Sequence, residues 1–229
     1  MFNELWGVLF VCVNFALFLL CYRWFGQHGM YAWIAMATVA ANIQVVKTIE
    51  ILGIVMTLGN TIFATISMTT DLLNEKFGPK AAKRGVWIGF FSLVAVTVIM
   101  QMVLVFEPQE SDIAQSSLET IFGLLPRIAA GSLAAYFISQ LLDVRLFQAL
   151  RGKFPEGRQL WIRATGSTMI SQLVDSLVFC TIAFAGVYPA GVWLQILITT
   201  YVFKFVIAVA GTPVLYIARR FRHADSGAE

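Results

Sequence analysis

Seven stretches of the chain are nearly free of charge and long enough to cross a bilayer, near residues 4–25, 30–48, 51–74, 85–106, 120–146, 160–186 and 191–218. About 20 residues of helix span the ~30 Å of a hydrocarbon core. The second and third stretches almost fuse over 30–74, which as one helix would measure about 67 Å at 1.5 Å per residue. The polar interruption KTIEILG, with Lys47, Glu50 and Gly53, divides that run into two antiparallel helices. The pattern therefore predicts an all-α fold, a polytopic membrane helical bundle, with residues 1–229 as a single transmembrane domain. The opening MFNELWGVLF has no basic residues ahead of its apolar stretch and no A-x-A-like site after it, so it reads as a retained helix.

Composition agrees with a bilayer as solvent. Hydrophobic residues make up 59% of the chain and charged residues 13%, against about 25% charged in a soluble domain. The few bases are sorted by side. Lys76, Lys80, Lys83 and Arg84 follow the third stretch; Arg145, Arg151, Lys153, Arg158 and Arg163 follow the fifth; Arg219, Arg220 and Arg222 fill the tail; Arg23 precedes the second. In a seven-helix path all of these share one side, while the opposite loop EPQESDIAQSSLE has four acids and no base. The positive-inside rule then places the C-terminus in the cytoplasm and the N-terminus outside.

Chemistry-bearing residues are sparse. The three cysteines, Cys12, Cys21 and Cys180, have no paired spacing, and both histidines, His28 and His223, lie outside the apolar runs. That inventory points to no metal site and no cofactor. There is no HExxH, no GxGD and no histidine within a span, so an intramembrane enzyme lacks its usual acid–base players. No GxxxxGK[ST] loop is present for ATP hydrolysis.

A charge at mid-bilayer costs at least about 2.5–3.5 kcal/mol and normally faces a partner or a cavity. Asp175 and Lys204 sit near the middle of the sixth and seventh stretches, at matching depths from the turn that joins them. Either they form an ion pair that locks two helices, or they line a polar site. Thr168, Gln172 and Asp175 recur on one helical face with Ser171 beside them, and Asn60, Ala64, Ser67 and Asp71 do the same in the third stretch, followed by Glu75. Asp71 and Glu75 also read as solvated carboxylates paired with Lys76 or Lys80. Lys47 reads equally as a snorkelling lysine, and Arg127 as a buried guanidinium fork. Gly131, Ala135 and Ser139 form a small-residue ridge suited to close helix packing. Finally, TTDLLNEKFGPKAAKRGVWIG and LLDVRLFQALRGKFPEGRQLWIR echo each other: each places an Asp ahead of a basic linker containing Lys-Phe, then Trp-Ile. Internal repeats are common in transporters.

The stretches NIQVVKTIEILG, TLGNTIFATISMTTDLLNEKFGPKAAKRGVWIGF, WIRATGSTMISQLVDSLVF and TPVLYI resemble the queuosine precursor transporter family, also described as vitamin-uptake-like transporters. The resemblance covers about residues 40 to 217. It implies a multi-pass protein of the bacterial inner membrane that imports 7-deazaguanines such as 7-cyano-7-deazaguanine. It also implies a six-helix core similar to the substrate-binding subunits of energy-coupling-factor vitamin transporters, with the first helix as an addition. A guanine-like edge has two adjacent N–H donors and a carbonyl acceptor. Asp175 or Glu75 would meet the donors; Asn42, Asn60, Gln172, Lys47 or Arg127 would meet the remaining polar atoms. Trp161, Phe179 or Trp87 would stack on the ring. Asp175, Asp71 and Glu75 permit proton coupling without requiring it, and the sequence is compatible with a homo-oligomer. Another vitamin-like or purine solute, or a non-transporting membrane scaffold, are the competing readings; no direct contact with nucleic acid is expected.

Overall fold

The structure, a computed structural model, describes residues 2–44, 47–51, 54–123, 126–186 and 189–221; the side chains at 48, 50, 51, 54–57, 60, 126–129, 184 and 192 also lie outside the description. The elements in order are α1 (Phe2–Gln44), a hairpin of β1 (Thr48–Ile51) and β2 (Ile54–Thr57), α2 (Gly59–Val105), α3 (Gln115–Phe122), α4 (Pro126–Lys153), α5 (Leu160–Phe184) and α6 (Ala190–Arg219). Five of these helices are long and apolar enough to cross a membrane.

Two of the five are helical hairpins. α1 is broken at Gly26 (φ 57, ψ −135) and α2 at Gly78 (φ 82, ψ 176), backbone conformations that a side chain resists. Proline at 79 cannot donate a helical hydrogen bond across the second corner. Both chains double back there. Phe18 and Trp33 pack edge to face with ring centroids 6.0 Å apart, where an unbroken helix would separate them by about 22 Å. Across the second corner, a Cβ added at Gly85 would lie 3.0 Å from Leu73. The corners thus turn five helices into seven long segments.

The polar interruption in the 30–74 run is itself structured. Thr48 pairs with Thr57 and Ile51 with Ile54 in an antiparallel hairpin, so α2 begins at Gly59 and not near 51 as the apolar pattern predicts. TIEI and IVMT are rich in β-branched residues, which fit a pleated strand.

Bases from separate linkers converge at one end of the bundle. Glu75 pairs with Arg163 and Arg219, Arg151 donates to the Asn74 and Glu75 carbonyls, Lys76 donates to the Phe221 carbonyl, and Arg23 lies over the Phe221 ring. Segment ends at 23, 76, 151, 163 and 219 therefore share a face. The interior between them is packed by Phe18, Met30, Ile34, Ile66, Leu72, Leu73 and Leu215. Gly131 abuts Ile182 of α5, as expected of the small-residue ridge. Outward, Phe2, Trp6, Phe91, Val105 and many other large apolar side chains are more than half exposed. So broad an apolar surface suits lipid and not water.

Candidate functional site

A polar column threads the interior between the first arm of α2, α4, α5 and α6. Helical periodicity builds it. Ser67, Asp71 and Glu75 of α2 are four residues apart, as are Arg163, Ser167, Ser171 and Asp175 of α5; Gln140 and Asp143 complete it from α4. From Arg163 to Asp175 the column measures about 18 Å along the helix axis.

Its inner end is the Asp175–Lys204 pair, with Nζ to Oδ2 at 2.5 Å. Ser139 donates to the other Asp175 oxygen at 3.0 Å, and the Lys204 ammonium lies 4.7 Å from the Phe63 ring centroid. The matched depths of these two residues thus resolve into direct contact. Both oxygens of Asp175 are occupied within the protein.

One level on, the amides of Gln140 and Gln172 both donate to Ser67 Oγ, at 3.3 and 3.2 Å, and Thr70 donates to Gln140 Oε1 at 3.3 Å. Gln172 Oε1 is left without a partner. The next level holds two carboxyl groups. Ser171 donates to Asp143 Oδ1 at 2.9 Å, Asp143 stands within hydrogen-bonding reach of Asp71, and Asp71 Oδ1 and Asp143 Oδ2 accept from no donor. The opposite end, at the face where the bases gather, is Glu75, whose Oε1 takes Arg163 at 2.7 Å and Arg219 at 3.2 Å. Arg163 is fully buried and also donates to the Phe154 and Glu156 carbonyls, tying the 154–156 linker to the column.

Beside the carboxyl level a pocket opens between α2, α5 and α6. Ser67, Asp71, Thr165, Thr168 and Thr212 supply its polar lining and Phe205 an aromatic wall. It has room for about one water molecule and is therefore too small, as it stands, for a heterocycle.

The expected residues fall into three groups. Asp71 and Thr168 line the pocket, and Gln172 backs it through Ser67. Asp175, Lys204 and Glu75 belong to the column but are engaged in ion pairs. Others lie away from both: Asn42 donates to the Thr38 carbonyl of its own helix, Lys47 is exposed, and Trp161 and Trp87 are 53% and 54% exposed on the outer surface. Phe179 is half-buried and not among the pocket residues. The side chains of Asn60 and Arg127 lie outside the described residues.

Asp143, Gln140 and Phe205 escaped the sequence reading. Asp143 stands two residues from Arg145 at the start of a basic linker and reads as solvated. The echo between the two Asp-containing segments was the signal that marked it.

Comparison with known proteins completes the picture. A family model described as "Putative vitamin uptake transporter" matches residues 57–218. A protein of Bacillus subtilis (strain 168) named "Probable queuosine precursor transporter" is 50% identical over 220 residues, 96% of each chain. The "Queuosine precursor transporter" of Escherichia coli (strain K12) is 28% identical over 74% of this chain and 75% of its own. A Haemophilus influenzae protein named "Probable queuosine precursor transporter" is 31% identical over 67% of this chain and 63% of its own. No solved structure matches, so the likeness to energy-coupling-factor binding subunits rests on sequence resemblance alone. With the family model spanning well over half of it and a half-identical relative along nearly its full length, this helical membrane chain belongs to the vitamin uptake transporter family that includes the queuosine precursor transporters.

Proposed function

We propose that the chain crosses the bacterial inner membrane seven times, with its C-terminus in the cytoplasm, and imports 7-deazaguanine precursors of queuosine such as 7-cyano-7-deazaguanine or 7-aminomethyl-7-deazaguanine. Its relatives bear the name of queuosine precursor transporters. One structural observation carries the reading: Asp71, whose buried Oδ1 has no donor, lines a pocket, and Gln172, whose Oε1 also has none, is hydrogen-bonded to the pocket residue Ser67. An unmet acceptor in a low-dielectric interior is costly. A ligand edge with adjacent N–H donors meets that need. Thr165, Thr168 and Thr212 bring hydroxyl donors to the same pocket for its carbonyl, and Phe205 gives the flat ring an apolar wall. Because the pocket holds only about one water molecule, a ligand of this size requires α6 to part from α2 and α5. The bases gathered at one end of the bundle support reading that end as the cytoplasmic one.

The role assigned to Asp71 differs from the one the sequence suggests for Asp175. Asp175 already has a cation and a hydroxyl; Asp71 has an oxygen to offer. The test is uptake of radiolabelled 7-cyano-7-deazaguanine by cells lacking any other carrier for it, competed with purines, other deazapurines and vitamins. Wild-type protein should confer saturable uptake. Asp71→Asn, which trades an acceptor for a donor, should weaken apparent affinity about ten- to a hundredfold. Unchanged uptake in Asp71→Asn removes the site, and stronger competition by an unrelated vitamin moves the substrate class.

A further inference from the structure

The two carboxyl groups in the middle of the column come from the two halves of the sequence echo. Asp71 lies in TTDLLNEKF and Asp143 in LLDVRLFQALRGKF. The fold brings them within hydrogen-bonding reach, 3% and 1% exposed, each with an oxygen that no protein donor meets. An ionised carboxylate only accepts, so a hydrogen bond between two of them requires a proton on one.

The groups around the pair do not remove that need. From α5, Ser171 donates to Asp143, and Ser167 also stands within hydrogen-bonding reach of it. On α2 the nearest charge is Glu75, one turn away and already held by Arg163 and Arg219. Thr212 and Leu215 of α6 face the pocket beside Asp71, and the buried α6 cation, Lys204, is taken by Asp175. Among the described residues no Lys or Arg forms an ion pair with either carboxyl.

We propose that Asp71 and Asp143 form a shared proton site that couples substrate import to the proton gradient; this rests on the transport reading above. A proton from the outer face is shared between the two carboxyls and leaves the pair with a single negative charge, so an Asp71 oxygen still accepts the ligand's N–H groups. Without it, two anions would repel as the pocket closes, so the loaded, closed state forms only with the proton aboard. Opening toward the Glu75 end releases substrate and proton together to the cytoplasm. No bond other than the O–H bond is made or broken.

The experiment uses purified full-length protein in liposomes, with the membrane potential clamped by valinomycin and potassium and labelled 7-cyano-7-deazaguanine as probe. With the interior alkaline, wild type should accumulate substrate about tenfold per pH unit of gradient. Adding substrate to a weakly buffered suspension should make the medium alkaline. Asp143→Asn, which mimics the protonated acid, should lose gradient-driven accumulation yet keep exchange of internal for external substrate; that exchange also shows that the variant is folded. Gradient-driven accumulation by Asp143→Asn overturns the proposal. So does wild-type exchange that ignores the pH gradient and moves no protons, while leaving the transport reading intact. Wild-type liposomes with no exchange at all would refute the transport reading and this proposal together.

Discussion

Replacing one member of the Asp175–Lys204 pair should damage the protein far more than replacing both. At an N–O distance of 2.5 Å, Coulomb attraction with an effective dielectric of 20 is roughly 6–7 kcal/mol. Removing each ion from water costs several kcal/mol, which cancels much of that gain. The pair is therefore worth little against an apolar substitute, whereas a stranded ion is expensive. Asp175→Asn leaves the Lys204 ammonium with only the Phe63 ring and a neutral amide; Lys204→Met leaves the Asp175 carboxylate with only Ser139. Each single change should destabilise by about 3–5 kcal/mol. The double variant should lose less than about 2 kcal/mol, a coupling of several kcal/mol. Reversible unfolding in mixed micelles of dodecyl sulfate and a mild detergent, followed by circular dichroism, measures all three. If the single costs simply add up to that of the double, the pair is not coupled and the reasoning fails. Uptake by the double variant then separates the roles: retention makes the pair a pin between α5 and α6, and loss despite normal stability makes it part of the substrate path.

The remaining predictions concern topology and the corner in α2. In a cysteine-free background, Glu110→Cys should react with an impermeant maleimide added to intact cells, and Lys83→Cys only after lysis; the reverse pattern would invert the orientation. Gly78→Ala should cost about 1–3 kcal/mol in the same unfolding assay, because the backbone there is suited to glycine. An added Cβ would touch nothing within 4 Å, so the penalty is conformational, and a loss below about 0.5 kcal/mol would show that the corner relaxes freely.

Particular residues show where the sequence was sufficient and where it was not. Matched depth from a short turn brought Asp175 and Lys204 together before any coordinates, since both sit on helices joined end to end. The run TIEILGIVMT was harder. Its apolar, β-branched residues read as the start of a helix, and only the backbone pairing of 48–51 with 54–57 makes it a hairpin. Trp161 and Trp87 were plausible stacking partners by composition, yet their helices turn them outward. Arg163 was counted among linker bases and proves fully buried against Glu75, because Arg163 opens α5 at the same end where α2 turns its corner.

Hydrophobic length and charge placement were enough to divide the chain into helical segments and to gather the bases at one end, because these depend on local composition and on distance along the chain. Which carboxylate faces the pocket depended on how each helix is rotated about its axis and on which neighbour it meets. That rotation is set by packing among α2, α4, α5 and α6. It gave Asp175 to Lys204, Glu75 to two arginines, and left Asp71 and Asp143 with each other.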